Sequence, residues 1–338
     1  MIITASDLFS RTMEPMRFLV DDLLPTGLFL VSGLPKIGKS YFVHQLSLAV
    51  ATGDTFLGRN VLPGSVLFYA IEDGARRLKT RLHQQAGDVN GIERILYQLE
   101  APTDYAKLEE DIRMYQSSNP DLQLVVIDTL GRSASGPKAG HDQYSYWTDS
   151  LSRPQKLAEE LGITIAFTHH LNKRQYTEGA DDAFSRIYGN TALFGTVDTA
   201  LILERHRGTD NAVLRVTGRD VEEQNLKMTL DRTTMTWHDT GPIPQQLINP
   251  TKAQTQFIEL LNGGPMKLSQ IARELGMTES NAHQHLNKAI KDGVVEKHDR
   301  GLYGLSTDLQ GVDDHEADTT AGEDTEIDEI TVEFDFTV

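Results

Sequence analysis

The segment GLPKIGKS, from Gly33 to Ser40, has the residue types and the spacing of a phosphate-binding loop. It matches the pattern G-x-x-x-x-G-K-[ST], between an apolar run typical of a buried strand and a run typical of a helix. In such a loop the backbone N–H groups point at phosphate oxygens, the lysine reaches the β- and γ-phosphates, and the serine hydroxyl binds Mg²⁺. This context favours ATP and Mg²⁺ as cofactors over the alternative of a plain turn before a helix. The residues predicted to bind them are Gly33, Pro35, Lys36, Gly38, Lys39, Ser40 and Tyr41.

Hydrolysis of ATP also needs an acid that orients the metal and a group that activates water. Asp128 ends the most apolar run of the chain, LQLVVIDTL, where a carboxylate is costly to bury unless it serves Mg²⁺. Glu72 is the second-to-last residue of the run GSVLFYAIED, after its apolar part, and is the candidate catalytic base, acting beside Lys39. The alternative is that this acid complements the positive end of the following helix, and Asp73 fits that role better.

Two histidines, His169 and His170, end the apolar run ITIAFTHH that follows Asp128 in the chain. They should therefore lie at the same edge of a sheet as Asp128. One of them is expected to hydrogen-bond the γ-phosphate, and the alternatives are a core histidine or a metal ligand. Adjacent residues on a strand point to opposite faces, so only one should face the nucleotide.

The elements that would position these residues alternate between apolar, β-rich runs and helical runs. This order predicts an α/β fold with a mostly parallel sheet and ligands at the carboxyl ends of its strands, over residues 1–241. Prolines mark a linker at 242–250. Residues 251–305 have the order of a small winged helix-turn-helix domain: a helix, a turn at Gly276, a second helix and a short hairpin around Asp299.

The composition of the chain excludes some kinds of site and indicates where the protein acts. Cysteine is absent, which excludes disulfides and cysteine zinc sites. The absence of a long apolar run or a cleavable leader predicts a soluble, cytoplasmic protein without a membrane partner. The formal net charge is −17, but residues 306–338 contain no lysine or arginine and are rich in Asp and Glu. These residues form a predicted disordered acidic tail, and the rest of the chain is close to neutral.

Five sequence features together resemble the RecA-like P-loop ATPases of the plasmid replication helicase RepA type. They are GLPKIGKS, the acid in YAIED, VVIDTL, THHLNK, and GNTALFGTVDTALILERHRG. The resemblance implies a homo-oligomer, a six-membered ring with ATP between subunits, which moves along single-stranded DNA. It supports Glu72 as the catalytic residue, and it implies that Arg205 and Arg207 supply an arginine finger to the neighbouring subunit. The alternative for these arginines is a solvated strand end.

Two regions offer contacts to nucleic acid. The loops after Asp128 and His170 would face the channel of a ring, although ordinary solvated loops are an equal alternative. Their candidate residues are Arg132, Lys138, Lys173, Arg174, Tyr176, Phe184, Arg186 and Tyr188. The second helix of the winged domain could bind duplex origin DNA, but such domains also bind proteins. Its candidates are Asn281, His283, Gln284, Asn287 and Lys288, with Arg300 on the wing.

The function predicted from these features is an ATP-hydrolysing hexameric helicase or translocase on single-stranded DNA, in the replication of a plasmid, phage or mobile element. A RadA-like recombination ATPase is an alternative enzyme. A DNA-binding regulator or loader that uses ATP as an assembly switch is the alternative without a motor.

The chain ends in EITVEFDFTV, where apolar residues alternate with acids. The alternation suits addition of a strand to an exposed sheet edge, and the acids suit a basic groove. Such tails look similar to those of single-stranded-DNA-binding proteins and some phage replication proteins, where they dock a replication partner or compete with DNA. The alternative is a tail that only increases solubility.

Deletion of residues 306–338 should raise the affinity for single-stranded DNA several-fold at low salt. The difference should shrink between about 50 and 200 mM salt, because the competition is electrostatic. Anisotropy of a labelled oligonucleotide measures both, and ATPase activity without DNA should change little. Unchanged affinity at low salt would exclude the competition and leave partner docking or solubility.

Overall fold

The computed structural model describes residues 3–13, 15–87, 90–133, 143–171, 193, 195–205, 209–243, 252–261, 264–298 and 301–306. Several predicted residues lie outside these ranges, so their roles stay predictions: Lys138, Lys173, Arg174, Tyr176, Phe184, Arg186, Tyr188, Arg207, Arg300 and the acidic tail. No helix of the described residues is long and apolar enough to cross a membrane.

A large central sheet organises the N-terminal part of the chain. Its strands are β3 (Gly27–Gly33), β4 (Ser65–Ala70), β5 (Ile95–Gln98), β6 (Leu122–Asp128), β7 (Thr164–His170), β8 (Thr199–Arg205), β9 (Asn211–Gly218), β10 (Gln224–Asp231) and β11 (Thr236–Pro242), and a separate hairpin pairs β1 (Phe18–Val20) with β2 (Leu24–Pro25). The order in the sheet is β11-β10-β9-β8-β3-β7-β6-β4-β5. From β8 to β5 the strands are parallel, and β9 to β11 continue the sheet antiparallel. The predicted α/β fold with a mostly parallel sheet is therefore confirmed.

Helices cover both faces of this sheet. They are α2 (Lys39–Thr52), α3 (Ala75–Gln85), α4 (Tyr105–Ser118), α5 (Leu130–Ser133) and α6 (Gln143–Leu161). The short first helix, α1 (Ala5–Ser10), has no buried residue and joins neither core. Helices α2 and α3 share one core with Phe29 and Val31 of β3. Helices α4 and α6 share the other core with Leu28 and Leu30 of the same strand. Because the strand is buried on both faces, it needs a continuous apolar run, which is the pattern that the sequence carries.

The C-terminal residues form a small domain with its own core. Its helices are α7 (Lys252–Leu261), α8 (Leu268–Glu274) and α9 (Glu279–Lys291), and its strands are β12 (Met266–Lys267), β13 (Val295–His298) and β14 (Leu302–Leu305). Gly276 has φ +63° between α8 and α9, and the Thr278 hydroxyl accepts a hydrogen bond from Asn281 N at 3.3 Å. The turn and the two helices lie where the sequence placed them.

One boundary differs from the prediction. The sequence ended the first domain at Gly241, but this residue lies inside β11, which was not predicted as a strand. Ile243 N also donates to Asn225 O at 2.7 Å, beyond the predicted boundary. Pro242 is compatible with β11 because, among the described strands, this one lies at the edge of the sheet next to β10. Residues 244–250 of the predicted linker lie outside the described ranges.

A buried histidine joins α2 to its neighbours. His44 is fully buried, with Nδ1 2.6 Å from Gln85 Oε1 and Nε2 2.7 Å from the Tyr97 hydroxyl. Because Gln85 Oε1 can only accept, Nδ1 carries the proton and Nε2 accepts from Tyr97. Burial lowers the pKa of His44 from 6.5 to about 4, so the ring is neutral in the folded protein at pH 7.

The free energy of unfolding should fall as the pH drops from 6.5 towards 4. In that window the unfolded chain takes up a proton at His44 that the folded chain excludes. The resulting loss in the free energy of unfolding is about 3 kcal/mol. Above pH 6.5 this contribution is fully present. Urea unfolding at several pH values should show a flatter pH dependence for His44→Leu than for the wild type, and equal dependence in both proteins would contradict the assignment.

Candidate nucleotide site

The loop between β3 and α2 has the backbone that its glycines predict. Gly38 has φ +109° and is the N-cap residue just before α2, and a Cβ at this position would lie 2.8 Å from Trp237 Cζ2. A Cβ on Gly33 would lie 2.6 Å from Leu203 O. Lys36 is exposed at φ +67°, and Pro35 is half-buried. The loop therefore tolerates no side chain at either glycine without a shift of its surroundings.

Lys39 lies buried at the mouth of this loop, with 7% of its surface exposed. Its Nζ donates to Gly33 O at 2.8 Å and to Leu34 O at 2.9 Å, and it lies 3.4 Å from His170 Nδ1. Burial lowers its pKa to about 8, and the nearby carboxylates of Asp128 and Glu72 oppose this shift. A phosphate group beside Lys39 would favour the charged ammonium further.

Asp128 ends β6, and Thr168 of β7 holds its carboxylate. The side chain is 3% exposed, and Oδ1 accepts a hydrogen bond from the Thr168 hydroxyl at 2.5 Å. Sequence reasoning missed Thr168, although a polar residue two positions before His170 in an apolar strand was a usable signal. Ser40 is half-buried in the first turn of α2. A hydroxyl and a carboxylate are the oxygen ligands that Mg²⁺ takes beside nucleotide phosphates, so these residues fit the metal.

Glu72 and Asp73 follow β4 and point to different partners. Glu72 Oε1 lies 4.0 Å from His170 Nε2, with 34% of the side chain exposed. Strands β6 and β7 separate β4 from β3, so Glu72 joins the site from beyond two intervening strands. Asp73 is buried against α3, where it pairs with Arg81 and, at 3.6 Å, with Arg77. Asp73 thus pairs with arginines of the next helix, while Glu72 lies near His170; the role of Glu72 stays a prediction.

The two histidines lie on opposite faces of the sheet. His170 lies between Lys39 and Glu72, and burial together with the Lys39 charge lowers its pKa. Because Lys39 only donates, Nδ1 of the neutral ring accepts and Nε2 carries a proton towards Glu72. His169 is 4% exposed, and its ring packs edge-on against Trp147, with centroids 6.1 Å apart. His170 therefore lies beside Lys39 and Glu72, whereas His169 packs against Trp147.

Two other predicted residues have partners that the sequence did not indicate. The ring of Tyr41 lies under the Arg81 guanidinium at 4.9 Å and its hydroxyl contacts Gln84, so its side chain is held against α3. Arg205 lies at the end of β8, with its guanidinium carbon 5.8 Å from the ring centroid of Trp237 in the same chain. Burial lowers the pKa of Arg205. This contact is within one subunit, whereas the predicted arginine finger acts between subunits.

Comparisons with known proteins agree with this architecture. A family profile described as "AAA domain" matches residues 3–176, and one described as "Bacterial regulatory protein, arsR family" matches residues 251–297. One solved structure, described as an ATPase domain, aligns with TM-score 0.53 and 15% identity over 63% of this chain and 84% of that chain. A DnaB-like replicative helicase, solved to show its interactions with primase, aligns with TM-score 0.52 and 15% identity over 63% of this chain and 57% of that chain. These alignments confirm the predicted RecA-like fold, while the RepA type stays a prediction.

Lys39→Ala and Glu72→Gln should fail in different ways. Loss of the ammonium should abolish ATP binding, whereas loss of the carboxylate should leave affinity intact and lower turnover by about 100-fold or more. Binding of a fluorescent ATP analogue and phosphate release measure the two steps. Glu100→Gln, an exposed acid beyond the end of β5, is the matched control and should behave as wild type. Equal loss of affinity in both site variants would refute the role of Glu72.

Proposed function

This chain belongs to the AAA domain family, and from that premise we propose that it hydrolyses ATP to drive movement along single-stranded DNA. We propose that it acts as a hexameric helicase or translocase in replication of a plasmid, phage or mobile element. The observation that carries this proposal is the row formed by Lys39, His170 and Glu72, with separations of 3.4 and 4.0 Å. A nucleotide-binding protein without turnover has no need of a carboxylate so placed.

Each group has a role in this reaction. Backbone N–H groups of the loop bind the phosphates, and Lys39 balances the charge of the γ-phosphate. Mg²⁺, held through Ser40 and Asp128, would neutralise charge on the phosphates. Glu72 orients the attacking water, and His170 links the γ-phosphate site to that base. We assign the arginine finger from the neighbouring subunit to Arg205 or Arg207.

The proposal that ATP hydrolysis serves movement on DNA is supported by the fold and by the C-terminal domain. The solved structures with the same fold include one described as a replicative helicase, which supports a motor on DNA. Helix α9 exposes a polar surface that suits duplex origin DNA. Its exposed residues include Asn281, His283, Gln284, Asn287 and Lys288. We propose that the acidic tail binds a replication protein. The whole chain would act in the cytoplasm.

A second candidate is a DNA-binding regulator or loader in which ATP controls assembly. The similarity of residues 251–297 to a bacterial regulatory family favours it. In that case the function of the assembled protein would be to bind duplex DNA, and ATP hydrolysis would only lead to disassembly.

Three measurements on the full chain separate the candidates. A motor should show ATP hydrolysis stimulated at least about tenfold by single-stranded DNA, separation of a forked duplex, and a six-subunit mass in native mass spectrometry with an ATP analogue. A RadA-like recombination ATPase should move branched junctions without unwinding a simple fork. A regulator should assemble and bind duplex DNA with ATP but show no stimulation, and that result would overturn the motor. Glu72→Gln should assemble yet unwind nothing.

A further inference from the structure

A tryptophan from the far edge of the sheet packs under the phosphate-binding loop. Trp237 lies on β11, four strands away from β3 in the sheet order, and its side chain is fully buried. The ring occupies the space that a Cβ on Gly38 would need, and its Nε1 donates to Gly38 O at 3.3 Å. This contact joins two residues that are 199 positions apart in the chain.

The hydrogen bond to Gly38 bears on phosphate binding through peptide geometry. In a trans peptide the C=O and N–H groups point in opposite directions. The Gly38 carbonyl accepts from Phe42 N at 3.0 Å, along the helix, and from Trp237. Holding this carbonyl therefore fixes the direction of the Lys39 N–H, which points out of the helix start, where phosphate oxygens would bind.

Further contacts hold Trp237 in place. The Gln45 side chain brackets its backbone: Trp237 N donates to Gln45 Oε1 at 2.7 Å, and Gln45 Nε2 donates to Trp237 O at 2.9 Å. Gln85 Nε2 donates to Met235 O at 2.7 Å and to Tyr41 O at 3.0 Å, which ties the hairpin turn to α2 and α3. The Arg205 guanidinium lies within cation–π range of the ring. The indole is thus fixed from several sides.

We propose that Trp237 is a positioning residue for nucleotide phosphate, acting through the Gly38–Lys39 peptide. The inference rests on the proposed ATP site and adds a residue that lies outside the phosphate-binding motif. Binding of phosphate to the Lys39 N–H would polarise the Gly38 carbonyl of the same peptide. This would change the hydrogen bond that the Trp237 indole donates to that carbonyl. Trp237 therefore both orients the loop and reports its occupancy.

The first test uses the two tryptophans of the chain. Trp147→Phe leaves Trp237 as the only indole, with all its contacts in place. Saturating Mg²⁺ and ATPγS should change its emission, while Trp237→Phe should retain only the signal of Trp147. Calorimetry on the same samples measures binding independently. Bound nucleotide with unchanged Trp237 emission would overturn the inference, even if no other variant folds.

The second test compares affinity with stability. Trp237→Phe keeps an aromatic ring but removes the donor, so ATPγS affinity should fall about three- to tenfold, with KM rising more than kcat falls. Gln45→Ala should act in the same direction. Phe56→Leu is the matched control, because Phe56 is a buried aromatic residue that packs on the ring of Phe42. It should lower the melting temperature but leave affinity within about twofold.

The outcomes separate this inference from the proposed function. If the wild-type chain binds no nucleotide, the proposed function fails. If it binds nucleotide and Trp237→Phe binds equally well, only the role of Trp237 fails. If Phe56→Leu weakens binding as much as Trp237→Phe, the role of Trp237 is general packing and the inference is overturned.

Discussion

The burial of the Lys39 ammonium is the constraint on which the rest of the site depends. A charged group taken out of water is destabilised unless other groups compensate for its lost hydration. Here two loop carbonyls accept from Nζ, and the carboxylates of Asp128 and Glu72 lie close enough to raise its pKa against the effect of burial. These contacts hold a cation at the mouth of a loop whose N–H groups also attract anions. Negatively charged phosphate oxygens in front of the loop would stabilise this cation further.

The parallel sheet makes this concentration of polar groups possible. Strands β3, β4, β6 and β7 run in the same direction, so their carboxyl ends bring Lys39, Glu72, Asp128 and His170 to one edge. The same strands are buried on both faces by α2 and α3 on one side and α4 and α6 on the other. Apolar strands therefore provide the rigidity, and the chemistry lies just beyond their ends.

Spacing and apolar runs in the sequence were sufficient to predict most of the sheet and to place the loop, Asp128 and Glu72 at the carboxyl ends of its strands, where the structure brings them together. The roles of these residues stay predictions. Strand alternation predicted that only one histidine faces the nucleotide, but it could not tell which, since the face depends on neighbouring strands. The contacts of Trp237 with Gly38 and of Arg205 with Trp237 follow from the way the antiparallel strands curl over α2. No periodic pattern encodes a contact between residues so far apart in the chain. Strand β11 extends one residue past the predicted end of the first domain at Gly241, because a strand at the edge of a sheet accepts the proline that normally marks a linker.

A motor and an ATP-dependent switch differ in whether the site has residues for hydrolysis in addition to the residues that bind phosphate. Binding alone requires the loop, Lys39 and a metal ligand, all of which lie at β3 and β6. The structure adds His170, whose ring lies between the lysine and the carboxylate, with Nδ1 3.4 Å from Lys39 Nζ and Nε2 4.0 Å from Glu72 Oε1. Thr168, on the same face of β7 as His170, holds Asp128, so one strand positions both the predicted metal ligand and this histidine. Strand β7 lies between β3 and β6 in the sheet. The residues that follow His170 in the chain include Lys173 and Arg174, which are predicted DNA contacts. Under the proposed function, the nucleotide and the DNA would therefore both act on residues of β7 or of the segment that directly follows it.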